Sequence, residues 1–508
     1  LLKNAGTVSA WTLLSRILGL FRDRLWAGAL GGVHQELLDA FLVSFAVPNL
    51  LRNLFGEGAL SAAFIPRYVQ ARERDPAAAE AFAGAVLSRL ALGLSLLAAL
   101  GMAVAAGLML LGEGKTALVA TMLFPQVPYL VFICVVAIMG GMLNGRRRFA
   151  VPAASPVVLN AVMIATVWMN TDEESRVMPY AVLAAGILTA ALNVVALKSS
   201  GGMPPFTLKN SPELGELRRA TLPVLLATSV YQVNALLDSI IAMWLVPGDG
   251  AVSFLYFGNR LLQFPMALIG HGVTTAAYPE LARRANEGWA ATGEGVCAAA
   301  RLQAFWLMPA AVGLVATAEP LVRAIYQTGH FGDDAVARTV LVVRMLGLAL
   351  LPISLAKLLV RAFHARRDQA TPVRVSLWMV GLNLALNLVL ARTPLKEAGL
   401  ALATAISSFV GCVIYLAIMK RRGAGMVVAP LTLLRPALAA GAMAAAVLAL
   451  LAWWPQPTGR GSGMGALRLG AAVALGGAVY LALAGTGWLR GRRPAGAEPA
   501  PAAAESLE

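Results

Sequence analysis

Apolar runs long enough to cross a bilayer recur along almost the whole chain, and no other feature restricts its fold as much. Fourteen can be counted, roughly 5–31, 37–69, 82–111, 117–144, 152–170, 178–197, 217–246, 250–281, 296–318, 335–364, 373–392, 397–419, 432–454 and 465–489, separated by short polar turns. A helix needs about 20 residues to cross the hydrocarbon core, and a backbone in lipid must satisfy its own polar groups. The pattern predicts an all-α polytopic membrane protein with 14 transmembrane helices. Several runs are longer than the bilayer is thick, which predicts tilt or continuation beyond it.

The loop charges alternate. One set carries Arg72 and Arg74; Arg146, Arg147 and Arg148; Lys198, Lys209, Arg218 and Arg219; Arg283 and Arg284; Arg366 and Arg367; Lys420, Arg421 and Arg422; and Arg490, Arg492 and Arg493. The other set is poor in basic residues and holds acidic clusters, Asp172, Glu173 and Glu174, and Asp333 and Asp334. The positive-inside rule then predicts both termini on the cytoplasmic side of a bacterial plasma membrane, with the first run as its own insertion signal. The net charge of +15 sits in these short loops, which excludes nucleic acid as the partner. Trp453, Trp454 and Trp488 end runs and read as interfacial anchors. Cys134, Cys297 and Cys412 lie in or beside apolar runs without metal-ligand spacing and read as packing residues. The Pro/Ala-rich stretch 494–508 is expected to be disordered, its last residues resembling an added tail, and is set aside.

Charges also occur inside the runs. Asp39 to Pro66 reads DAFLVSFAVPNLLRNLFGEGALSAAFIP and contains Asp39, Arg52 and Glu57, with Gly56 and Gly58 flanking the glutamate. Ser15 to Leu25 reads SRILGLFRDRL and adds Arg16, Arg22, Asp23 and Arg24. Each charge at a membrane centre costs roughly 2.5–3.5 kcal/mol on insertion scales, so such residues pair within protein or line a wet cavity.

The chain repeats internally. GEGALSAAF from Gly56 and GHGVTTAAY from Gly270 coincide in their glycines, Ser/Thr, paired alanines and aromatic, and a proline follows each. The copies lie six runs apart, an even number. This predicts two parallel six-helix lobes, 1–200 and 210–422, related by a pseudo-twofold axis, with 430–490 as two extra C-terminal helices.

Together with GNRLLQFP from Gly258, these motifs resemble the MurJ family of lipid II flippases in the multidrug/oligosaccharidyl-lipid/polysaccharide exporter superfamily. The resemblance covers the whole fourteen-run layout. It implies a V-shaped pair of lobes around a cationic cavity, and a lipid-tail groove made with the last two helices. The implied cargo is undecaprenyl-pyrophosphate carrying a disaccharide-pentapeptide, moved to the outer leaflet. The family's essential arginines fall on Arg16, Arg22, Arg52 and Arg260, and the acids of the same motifs are Asp23, Asp39 and Glu57.

The residue chemistry fits a pyrophosphate, because arginine stays charged when desolvated and donates in parallel pairs. Structural ion pairing or snorkelling is the competing reading of each arginine. For Arg24, beside Asp23 near a run's end, an ion pair or interfacial role is the better reading. Asp39 either gates against a cation of the facing lobe or favours a helix N-terminus. Glu57 pairs with a cavity arginine, works in a gate, or forms a fixed salt bridge; His271 takes its place in the repeat. Asp238, Asn383, Asn387 and Thr404 form an oxygen-rich set that either holds sodium, as in some MurJ-like proteins, or links helices by hydrogen bonds.

No phosphate-binding glycine loop or hydrolase constellation stands out, so the expectation is a monomeric transporter without an organic cofactor, driven by membrane potential and sodium, in contact with membrane lipids and with cell-wall synthesis machinery. The rivals are a flippase for another polyprenyl-linked glycan, a cationic-drug exporter, and an enzyme acting on polyprenyl pyrophosphates. Arginine-rich walls disfavour the drug exporter, and the lobe repeat disfavours the enzyme.

Overall fold

The computed structural model describes residues 2–31, 34–56, 59–168, 174–210, 212–425, 430–455 and 463–485, and among these no strand occurs. The first lobe comprises α1 (Leu2–Leu30), α2 (Gln35–Leu51), α3 (Ala59–Arg74), α4 (Pro76–Leu111), α5 (Lys115–Gln126), α6 (Tyr129–Gly145), α7 (Ala150–Trp168) and α8 (Glu174–Ser199). The second comprises α9 (Pro212–Trp244), α10 (Ala251–Pro265), α11 (His271–Ala285), α12 (Trp289–Ala316), the short α13 (Ala318–Tyr326), α14 (Asp333–Ala365), α15 (Ala370–Leu390) and α16 (Glu397–Arg421). Two more helices follow, α17 (Pro430–Trp453) and α18 (Gly463–Tyr480).

Eleven helical runs among the described residues are long and apolar enough to cross a membrane. The fourteen-span reading adds α1, α9 and the α10–α11 pair, which are as long but hold the charged motifs. Leu100, Leu110, Leu111, Trp378, Val389 and Trp453 are exposed, as expected of helices whose outer faces meet lipid tails rather than water.

Two local features recur between the lobes. Arg52–Gly56 and Met266–Gly270 are π-helical, and each segment ends on the glycine that opens the repeated motif. Local widening of a helix in this way is uncommon and concentrates at functional positions. The second feature ends α6 and α14. Arg147 and Arg367 adopt left-handed backbone, with φ of 59° and 58°. Around them Arg147 N donates to Asn144 O and Arg148 N to Leu143 O, while Arg367 N donates to His364 O and Asp368 N to Phe363 O. Both are Schellman turns with arginine where glycine is usual, so the pseudo-twofold relation extends to turns that the sequence repeat does not include.

The largest hydrophobic cluster joins the lobes. Trp26 and Phe41 from the first lobe meet Phe254, Phe257, Tyr326 and Phe331 from the second. It lies at the end away from the arginine-rich loops, called here the far side. Toward the basic side each lobe has a core of its own, around Phe64, Tyr68 and Phe82 in the first and around Leu358, Phe363 and Tyr415 in the second. The lobes are thus fused by packing at one end only. α9 is the exception, because Leu214 and Leu217 near its start pack into the first lobe's core while Ile241, Ala242 and Met243 near its end join the shared cluster.

Candidate functional site

The site grows from α1. Arg22 and Asp23 lie on its inner face, where Arg22 is 7% exposed and Asp23 fully buried. Tyr256 and Arg260, one turn apart on α10, share a face and meet them from the other lobe. Asp23 Oδ1 accepts from Arg22 Nη2 at 2.7 Å and from the Tyr256 hydroxyl at 3.1 Å, and Asp23 Oδ2 pairs with Arg260 Nε at 2.8 Å. Arg22 Nη2 also donates to the Tyr256 hydroxyl at 2.7 Å, and its Nη1 donates to Asn160 Oδ1 of α7 at 3.0 Å. Asn160 is itself oriented by donating to Ser15 O at 3.0 Å, and the Arg22 guanidinium lies 4.3 Å above the Trp26 ring. A Cβ at Gly19 would collide with the Arg260 guanidinium, so a bare backbone there makes room for it.

Two guanidiniums share one carboxylate, which leaves one positive charge in excess. The excess sits on Arg260. Its side chain is 28% exposed, and among the described residues its two Nη groups have no hydrogen-bond acceptor. A fork of donors that is fixed through Nε and open at Nη suits an incoming anion with several oxygens.

At the far side the lobes are fastened by charges on helix ends. Gly250 occupies the N-cap position of α10 with φ of 88° and has no side chain to cap with. Asp39 of α2 supplies the missing acceptor across the lobe boundary, its Oδ2 taking Gly250 N at 2.8 Å and its Oδ1 taking Ser253 N at 2.8 Å. The carboxylate thereby satisfies two of the orphan donors of a helix N-terminus and faces the positive end of its dipole. Reciprocally, Arg24 of α1 donates to Ala324 O, in the last turn of α13, at 2.8 Å. Of the two readings of Arg24, an ion pair or an interfacial role, a pair with its neighbour Asp23 does not form; Asp23 is engaged by Arg22, Tyr256 and Arg260 instead.

A third cluster lies between α9, α15 and α16. Asn387 Nδ2 donates to Asp238 Oδ1 at 2.6 Å and to Asn383 Oδ1 at 3.0 Å, and Asn234 Nδ2 approaches Asp238 Oδ2 at 3.5 Å. Asn383 and Asn387 are buried, and Asn387 Oδ1 has no hydrogen-bond partner among the described residues. Thr404 Oγ1 instead donates to Leu400 O of its own helix at 3.1 Å.

The family profile described as "Lipid II flippase MurJ" matches residues 30–459. The chain belongs to the MurJ family. A protein of Rhizobium meliloti (strain 1021) named "Probable lipid II flippase MurJ" is 31% identical over 95% of this chain and 93% of its own length. The Burkholderia cenocepacia protein named "Lipid II flippase MurJ" is 30% identical over 82% of this chain and 83% of its own. Among solved structures, "Lipid II flippase MurJ, inward closed conformation" shares the fold with a TM-score of 0.78 at 23% identity, over 95% of this chain and 99% of that one. An inward-facing multidrug resistance MATE family transporter of the MOP superfamily follows with a TM-score of 0.67 at 15% identity, over 82% and 98%.

Within this MurJ-family chain the structure gathers the charged motif residues unequally. Arg22, Asp23 and Arg260 meet directly. Arg52 lies apart from that network at the start of the first π-helical segment, half-buried, with its Nε donating to Asn49 Oδ1 at 3.0 Å. Arg16 is exposed on α1 and enters no hydrogen bond or ion pair among the described residues. Glu57 lies outside the described residues, as does the side chain of His271. Sequence reasoning missed Tyr256, Asn160 and Gly19. Tyr256 precedes Arg260 by one helical turn, and Asn160 is a lone amide within an apolar run, so both carried a signal; the need for a bare backbone at Gly19 carried none.

Proposed function

We propose that this chain moves lipid II from the cytoplasmic to the outer leaflet by alternating access, as a transporter and not an enzyme. The observation that carries the reading is Arg260, a cation set between two lobes, anchored through Asp23 and open at both Nη groups. In this reading Arg22, Arg52 and Arg260, with Arg16 nearer the entrance, receive the pyrophosphate. The basic side is cytoplasmic, both termini lie there, fourteen helices cross the plasma membrane, and α17 and α18 hold the lipid tail. Asp39 and Arg24 close the far side while cargo enters between the lobes. Lobe rocking then breaks those helix-end contacts and exposes the site outward. Glu57 serves as a gate or as a displaceable partner of a cavity arginine.

Sodium fits the cluster on α9, α15 and α16. The Asp238 carboxylate, the side-chain oxygens of Asn383 and Asn387 and the Thr404 hydroxyl are hard oxygen donors, and Asn387 Oδ1, without a hydrogen-bond partner among the described residues, is an oxygen that such an ion would engage. Its role is to bias the second lobe once cargo has left. The chain works as a monomer and hands its product to cell-wall synthesis machinery.

The test is rescue of conditional lipid II flippase loss, with membrane expression matched. Wild type should rescue, and Arg260→Ala and Arg52→Ala should fail while inserted normally. Failure of an inserted wild type in a compatible host would point to a different polyprenyl-linked cargo. Rescue by all three would remove the arginines from the site.

A further inference from the structure

α14 carries two cations that the site above does not use. Lys357 is half-buried, and its Nζ lies 3.9 Å from Met266 Sδ, in the second π-helical segment. One turn on, Arg361 Nη1 reaches Thr274 O and Thr275 Oγ1 only at 3.5 Å, with its guanidinium 5.8 Å from the Tyr278 ring. Among the described residues no carboxylate pairs with either. By contrast, Arg283 and Arg284 pair with Glu280, and Arg422 pairs with Asp368. Ser354, one turn before Lys357, is buried with its hydroxyl unpartnered, against Gly270.

Their depth gives these groups a meaning. Met266 lies six residues beyond Arg260 along the same helical run, roughly 9 Å nearer the basic side at 1.5 Å per residue, and Arg361 lies about 6 Å further. A cargo entering from the basic side with its pyrophosphate on Arg260 would lay the rest of its head group along this stretch. Apart from α9, the two lobes have separate cores at this level, so admitting a large polar group between them would break no shared hydrophobic core.

We propose that Lys357 and Arg361, with the Ser354 hydroxyl, form a second anion station that binds the peptide carboxylates of the cargo. The inference rests on the lipid II reading and adds to it a site for the peptide, distinct from the pyrophosphate site. An ammonium and a guanidinium one turn apart match carboxylates spaced along a peptide, and charge-assisted hydrogen bonds in a half-buried setting are strong enough to select them.

The experiment measures binding of three lipids to the purified full chain: lipid II, lipid II with its peptide carboxylates amidated, and undecaprenyl pyrophosphate. Lys357→Met and Arg361→Gln should each weaken lipid II binding by about tenfold and leave undecaprenyl pyrophosphate within about twofold. Wild type should bind the amidated lipid as weakly as the variants do, and Lys357→Arg should restore lipid II binding, which separates loss of charge from misfolding. Equal losses for lipid II and undecaprenyl pyrophosphate would overturn the proposal in favour of a pyrophosphate contact. Unchanged lipid II binding in both variants would overturn it in favour of purely structural cations. Wild type that binds none of the three would instead bring down the lipid II reading on which it rests.

Discussion

Asp23 of the first lobe holds Arg260 of the second at 2.8 Å while its other oxygen holds Arg22 at 2.7 Å. One carboxylate thus fixes both the geometry of the cationic site and the relative position of the lobes. Removing one member of a buried ion pair costs about 3–5 kcal/mol, because the partner's charge is stranded. Asp23→Asn should therefore lower the thermal midpoint and abolish flipping in liposomes. In a cycle with Arg260→Gln, the two losses of stability should fall short of additive by roughly 1–3 kcal/mol. Strict additivity would show that the pair does not act as a unit.

Asp39 caps a helix whose own N-cap is Gly250. Replacing the carboxylate by Ala should cost about 1 kcal/mol of far-side closure. Cysteine at Ser253, whose native side chain is buried, would report it: alkylation should be slow with Asp39 present and fast in Asp39→Ala. Gly250→Ala should be harmful for a separate reason. Its φ of 88° disfavours a side chain, and a Cβ would lie 2.6 Å from the Phe254 ring. Equal alkylation in both backgrounds would mean that the cap does not hold the lobes.

The sodium site proposed at Asp238 predicts that stability depends on the cation. Sodium chloride at ten times the dissociation constant should stabilise the protein by about 1.4 kcal/mol relative to potassium chloride at equal ionic strength. Asp238→Asn should erase the difference. A wild-type midpoint indifferent to sodium would leave the cluster as a hydrogen-bond network between helices.

On the basic side, Asp368 lies in the turn between α14 and α15. Burial alone would raise its carboxyl, but the Thr371 N–H and hydroxyl and the Arg422 guanidinium outweigh burial and hold it down at about 2. A carboxyl lowered on folding stabilises above its unfolded value near 3.8, and that contribution disappears as pH falls toward about 2. Thermal midpoints of the detergent-solubilised chain should therefore drop between about pH 4 and pH 2, and the drop should be shallower in Asp368→Asn. Identical slopes would assign the acid sensitivity to other groups.

The sequence made the helices, the repeat and the charged motif residues visible because each leaves a mark in residue type: apolar length, coincident glycines, charge inside an apolar run. Arg22, Asp23 and Arg260 were found in this way. The partners were harder to see. Asp39 was open to a cation or a helix end because its acceptors' counterparts are backbone N–H groups, which have no signature in residue type. For Arg24, adjacency to Asp23 leaves an ion pair open beside an interfacial role; Asp23 pairs with its other neighbour Arg22 and with Arg260 of another helix, and the Ala324 carbonyl that Arg24 reaches has no signature in residue type. The Schellman turns at Arg147 and Arg367 escaped notice because arginine is not the residue that such turns advertise.

The paired π-helical segments alter how both spans should be read. Each inserts about one residue into an α-helix and so advances the phase of everything after it by about 100°. Face assignments made with one unbroken period are therefore wrong beyond Gly56 and Gly270, where the repeated motif begins. Loss of a single residue within 52–56 or 266–270 would shorten the span by only about 1.5 Å, yet it would turn the whole basic half of that helix to face a different neighbour. At these two places chain length sets an angle, and the same angle is set once in each lobe.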